Sequence, residues 1–176
     1  MIIFIDSILF IILTYSLYTD LKIGKIYNWV TFPAMGAGVV LNALTNKAGV
    51  PAGLYDSLTA ALIAYVFFII PFFLGALGGG DVKLMMAIGA LKGCVFLLYS
   101  IISIGLVSFV LSLFVFIMQI FKDHKFSGTL NILISFYHQN VLVGEDEFKP
   151  ILKKNLKFGI SIFLGTIIAY LYMLKK

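Results

Sequence analysis

The chain has 176 residues, 61% of them hydrophobic and only 12% charged, with a mean hydropathy of +1.07. Soluble domains run nearer half apolar and a quarter charged, so the composition excludes an ordinary soluble domain and describes an integral membrane protein, long enough for one compact helical bundle. The net charge of +5 comes from thirteen basic residues, all lysine, scattered through short loops. A nucleic-acid binder would gather them on one solvent-facing stripe, so nucleic acid is excluded as a partner and the lipid bilayer is the expected surrounding.

Ile2 to Tyr18 reads as a first span with Asp6 at the membrane surface. No basic region leads it, so a retained helix is expected rather than a cleaved leader. It ends in the polar stretch Thr19 to Asn28, which holds Asp20, Lys22 and Lys25. Trp29 to about Leu44 forms a second span, with Trp29 at the interface and Pro33 in the first turn, where a missing amide donor costs little. Thr45 to Asp56 is a loop. A third span, about Ser57 to Leu77, contains Pro71, which predicts a kink.

Six residues follow that are unlike their apolar flanks: Gly78-Gly79-Gly80-Asp81-Val82-Lys83. A carboxylate at the lip of a membrane helix is costly, and glycines around it let backbone or substrate come close. Val82 to Leu91 reads as a short fourth helix with a break at Lys92-Gly93, and Cys94 to Phe121 as a long fifth. A cytoplasmic loop of about 122–157 carries an amphipathic pattern (Leu130, Leu133, Ile134, Tyr137 and Val141 on one face) that suits a helix lying on the membrane surface. Phe158 to Leu174 is the sixth span. The expected fold is therefore an all-α, six-helix polytopic bundle in a single domain, 1–176. Cys94 stands alone, which excludes an intrachain disulfide, and His124 and His138 have nothing nearby to complete a metal ligand set.

With six crossings, the loops after spans one, three and five share a side. They hold Lys22, Lys25, Lys83, Lys122, Lys125, Lys149, Lys153, Lys154 and Lys157, against Lys47, Lys92, Lys175 and Lys176 opposite. The positive-inside rule puts the first group in the cytoplasm and both termini outside. Asp20 closes span one and Asp81 opens span four, so both carboxylates come to the cytoplasmic side at similar depth. Asp6 and Asp56 map to the other side, and Glu145-Asp146-Glu147 lies in the charged loop.

Two adjacent carboxylates near a low-dielectric medium cannot both stay ionised, and a pair sharing one proton is the machinery of an aspartyl protease. The ionised member takes a proton from water while the protonated one polarises the peptide carbonyl. Because the pair titrates as a unit, the spacing does not say which is which. No metal, cofactor or nucleophilic side chain is required. The plainer alternative is that both aspartates cap helices or pair with Lys22 and Lys83.

Gly-x-Gly-Asp-Val-Lys-Leu at Gly78 to Leu84, followed by Ala87-Ile88-Gly89, together with Asp20-Leu21 and Ile26-x-Asn28 upstream and Phe158-Gly159 with Gly165 downstream, resembles the prepilin peptidases, polytopic aspartyl proteases of type IV pilin-like precursors. Tyr27 and Lys157 stand where many members carry proline. The resemblance implies catalytic roles for Asp20 and Asp81, site-shaping glycines at Gly78 and Gly80, and supporting positions at Lys83 and Asn28. It implies a membrane-protein substrate with a short basic leader before a hydrophobic helix, cut at the cytoplasmic face of the cell membrane. The amino-terminal domain with paired cysteines that accompanies N-methylation in larger members has no counterpart in this sequence, so a peptidase without methyltransferase activity is expected, like the compact enzymes of tight-adherence pili or archaeal flagellin-like filaments. The competing classes are a presenilin-type protease, whose Pro-Ala-Leu motif does not occur, and a non-enzymatic transporter or pilus-assembly scaffold. Oligomeric state is left open: the small pairs Gly36/Gly38, Ala60/Ala64 and Gly89/Gly93 would serve internal packing as readily as a dimer.

Overall fold

The computed structural model describes residues 2–44, 52–75, 77–122 and 158–175. These residues form five α-helices: α1 (Ile2–Ile23), α2 (Asn28–Leu44), α3 (Ala52–Phe73), α4 (Gly79–Lys122) and α5 (Phe158–Lys175). Four stretches, Ile3–Ile23, Gly53–Phe73, Gly79–Phe114 and Phe158–Lys175, are long and apolar enough to cross a membrane. The expected amphipathic helix within 122–157 lies outside the described residues. By its internal contacts the chain divides into two units, Met1–Val107 with Phe158–Lys176, and Ser108–Lys157. The described part of the second, 108–122, is the continuing helix α4.

The expectation of six helices is corrected to five. The predicted fourth and fifth spans are two helical stretches joined without a loop inside the single element α4, and the interruption falls where it was expected, at Gly93, whose φ of 81° and ψ of −179° are non-helical. A positive φ is accessible to glycine without the steric cost other residues bear, so a single residue suffices for the break and no loop is needed. The contact register reverses there. Before the break, α4 advances with α5, from the Asp20 end of the bundle to Lys92, whose ammonium lies 5.2 Å from the Tyr170 ring. After it, Tyr99 meets the Tyr172 ring at 5.2 Å and Ile104 lies against Gly165, so the numbers on α5 now fall.

The first half of α4, about 20 Å long at 1.5 Å per residue, is the centre of the larger unit. Val82, Leu84, Met85, Ala87, Ile88, Ala90 and Leu91 are all buried, and the other helices pack around it. α2 approaches through Gly38, where a Cβ would meet the Ala90 backbone at 2.7 Å. α3 approaches through Ala60, whose carbonyl would lie 3.0 Å from a Cβ on Gly89. Small residues at these crossings let backbones touch where lipid supplies no hydrophobic drive to association. Of the small residues singled out from the sequence, Gly36 has nothing within contact distance and faces outward. The outer faces of α1 and α3 carry exposed Ile3, Phe4, Ile11, Leu62, Val66 and Ile70, as a lipid-facing surface requires.

Helix ends shift modestly from expectation. α1 runs a turn further, through Asp20, and stops where Gly24 (φ 70°) donates its N–H to Asp20 O at 2.9 Å, an αL cap. α2 begins at Asn28, which puts Pro33 in its second turn and not its first. α3 ends at Phe73, so Pro71 lies in its last turn, where it precedes the stop, rather than mid-span.

At the end of the bundle remote from Asp20, polar side chains from all five helices gather around the break. Asn42 Nδ2 donates to Ala90 O (3.0 Å) and Leu91 O (3.1 Å), satisfying carbonyls that end the first half of α4. Asp56 Oδ1 accepts the Cys94 N–H at 3.1 Å and so caps the second half. A side chain at Gly93 would overlap the Asp56 carboxylate. Lys92 forms an ion pair with Asp6, whose other oxygen accepts the Tyr170 hydroxyl at 3.0 Å. The two charges are only 17% and 15% exposed, and breaking a buried pair from one side leaves an uncompensated charge. Lys92→Met should therefore lower stability by about 3 kcal/mol, and adding Asp6→Asn should recover most of the loss. Thermal unfolding of the two variants in detergent micelles measures both effects.

Candidate active site

The site end of the bundle collects the close of α1, the starts of α2, α4 and α5, and the loop between α1 and α2. Asp81 occupies the third position of α4. Gly78 is the N-cap: its carbonyl accepts Asp81 N (3.0 Å) and Val82 N (3.4 Å), while its own N–H donates to Asp81 Oδ2 at 3.0 Å. This is the side-chain half of a capping box, and the helix dipole favours a carboxylate there. The Gly78–Gly80 run has a further consequence. A Cβ on Gly80 would sit 2.8 Å from Ile26 Cβ and 3.1 Å from Ile26 O, so only glycine lets the first turn of α4 lie directly on the α1–α2 loop.

Asp20 sits in the last turn of α1 and points across the bundle. Its Oδ2 accepts the Gly159 N–H, in the first turn of α5, at 3.2 Å. A Cβ on Gly159 would fall 2.5 Å from that oxygen. The two carboxylates are half-buried, and Asp20 is an electrostatic neighbour of Asp81 although 61 positions (81 − 20) separate them in the chain. Both therefore cap helices, Asp81 its own and Asp20 another's. The alternative pairing with lysines takes a different form: the Lys22 ammonium donates to the Tyr18 hydroxyl at 3.1 Å, and Lys83 donates to Asn28 Oδ1 at 2.9 Å while lying 5.3 Å from the Phe32 ring centroid.

All six residues singled out from the sequence are thus at this end. Asp20 and Asp81 are brought near one another, Gly78 and Gly80 shape the start of α4, and Lys83 with Asn28 ties α4 to α2. Gly159 is legible in the sequence as a motif glycine, but its bond to Asp20, a contact across almost the whole chain, leaves no local signal. Ile26, against which Gly80 packs, was read only as a motif position.

A family model described as the type IV leader peptidase family matches residues 7–117, which include both aspartates and the glycine run. The chain belongs to the type IV leader peptidase family. Comparison with curated proteins and with solved structures gave no match. The family match ends before α5, so the amide that holds Asp20 in this leader peptidase family member comes from outside the matched region.

The three glycines are not equivalent in this family member. At Gly79 an added Cβ meets only the Phe72 ring, at 3.5 Å, an ordinary contact. Gly79→Ala should leave stability within about 1 kcal/mol of the parent, whereas Gly80→Ala should cost about 1–3 kcal/mol through overpacking and lower peptidase activity with it. Melting temperatures and turnover of the two purified variants, side by side, make the comparison.

Proposed function

We propose that this protein is a membrane aspartyl endopeptidase that removes the basic leader from type IV prepilin-like precursors at the cytoplasmic face of the cell membrane, with Asp20 and Asp81 as its catalytic pair. The observation that supports the reading is that these two carboxylates, from α1 and α4, lie at one end of the bundle within electrostatic reach of one another, each with an oxygen engaged by a backbone amide. Family membership supplies the reaction class and the motif residues supply the substrate class.

In this mechanism the pair carries one proton. The ionised carboxylate removes a proton from a water molecule as that water attacks the peptide carbonyl carbon, and the protonated partner donates its proton to the carbonyl oxygen. The tetrahedral intermediate collapses when the C–N bond breaks. The leaving nitrogen takes the proton gained from water, the gem-diol returns one to the other carboxylate, and the pair regains its starting state. The backbone amides of Gly78 and Gly159 hold the carboxylates against rotation, so their orientation is fixed before substrate arrives. Lys83, tied to Asn28 and stacked over Phe32, steadies the first turn of α4 from the α2 side. The lysine distribution supports the cytoplasmic placement of this end.

Asp20→Asn and Asp81→Asn should each reduce cleavage of a co-expressed precursor with a basic leader by at least about a thousandfold, a loss of the size seen on removing a member of a catalytic unit, with the protein still recovered in the membrane fraction. Full processing by either variant overturns the mechanism.

A further inference from the structure

The inner face of α1 carries a second polar group that the mechanism above does not use. Ser16 is only 1% exposed, and its hydroxyl has no hydrogen-bond partner among the protein groups. Several other helix hydroxyls are satisfied by back-bonding to the carbonyl four residues earlier: Ser7 to Ile3 O at 2.9 Å, Thr14 to Phe10 O at 2.8 Å and Thr166 to Ile162 O at 2.7 Å. Ser16 makes no such bond. Ser100 and Ser108, on α4, share the lack of a partner with Ser16, but only Ser16 lies on the helix that carries Asp20. A buried hydroxyl left without a partner in an apolar interior is costly, and in native proteins such groups hold ordered water.

The position of Ser16 indicates what that water serves. It precedes Asp20 by four residues, which places both on one helix face with Cβ atoms roughly 5–6 Å apart. That gap suits a single water between a hydroxyl and a carboxylate. The same face is the buried one, since Leu9, Leu13 and Thr19 flank it in the core. We propose that Ser16 is a positioning residue for Asp20, its hydroxyl holding a water that bridges to the carboxylate from the core side while the Gly159 amide holds it from α5. The inference rests on the assignment of Asp20 to the catalytic pair.

The test compares Ser16→Ala, Ser16→Val and Ser16→Thr in the full-length protein, reconstituted in liposomes with purified precursor, with Asp20→Asn run in parallel. Valine and threonine have nearly the same shape and differ in the hydroxyl. The expected result is a roughly tenfold fall in kcat for the alanine and valine variants, the size of one lost hydrogen bond to a charged group. KM stays unchanged, and threonine restores at least about half of the parental kcat because the bridging group returns. Parental kcat in Ser16→Ala or Ser16→Val, with a raised melting temperature from removal of an orphan hydroxyl, overturns the proposal. So does equal loss in the threonine and valine variants, which makes the effect one of shape. If Asp20→Asn is inactive while Ser16→Ala is unimpaired, this inference alone falls; if Asp20→Asn is itself fully active, the reading of the catalytic pair falls with it.

Discussion

A helix end buried away from water exposes amides and carbonyls that only side chains can satisfy, and inside a bilayer that demand is stricter than anywhere else. The larger unit of this protein is organised by the way it meets that demand. Four helix ends are closed by four side chains: the start of α4 by Asp81, the start of α5 by Asp20, the two carbonyls before the break by Asn42, and the amide after it by Asp56. Three of the four caps come from a different helix than the one they close. Capping here is tertiary structure, and it fixes how far each helix slides along its neighbours.

The two carboxylates of the candidate site belong to this system, so a capping role does not exclude the chemistry proposed for them. A carboxylate that receives a backbone amide at a helix start is held in one orientation. Under the proposed mechanism two such carboxylates share a single proton. The glycines serve this arrangement from the steric side. Gly80 brings α4 onto the α1–α2 loop and Gly159 brings α5 onto Asp20; a methyl group on the first would strike Ile26, and one on the second would strike the Asp20 carboxylate.

Much of this was legible in the sequence because it is local or counts only crossings. Apolar runs marked the helices, and the parity of crossings put Asp20 and Asp81 at one end. Lys92-Gly93 was readable as a break from the interruption of an apolar run by a charge and a glycine. That the two helical stretches join through one residue with no loop between them was not readable, because a one-residue reversal leaves no loop composition behind. The partners of the break were hidden for a different reason. Asp6 and Asp56 look like surface charges at the ends of spans, and Asn42 like an ordinary polar residue near a helix end; their roles depend on neighbours distant in sequence. The bond from Gly159 to Asp20 was hidden in the same way.

The position of α5 also sets an order of events. As the chain is made from its amino terminus, Asn42, Asp56 and Asp6 exist before the reversal at Gly93 emerges, so the socket that stabilises the turn is ready when the turn arrives. Tyr170 and Gly159 come last. A nascent chain that has finished α4 already holds Asp81 on its own N-cap, whereas the Gly159 amide reaches Asp20 only once α5 has been made. Under the proposed mechanism, the orientation of one catalytic carboxylate therefore waits on a helix made after both carboxylates are in place.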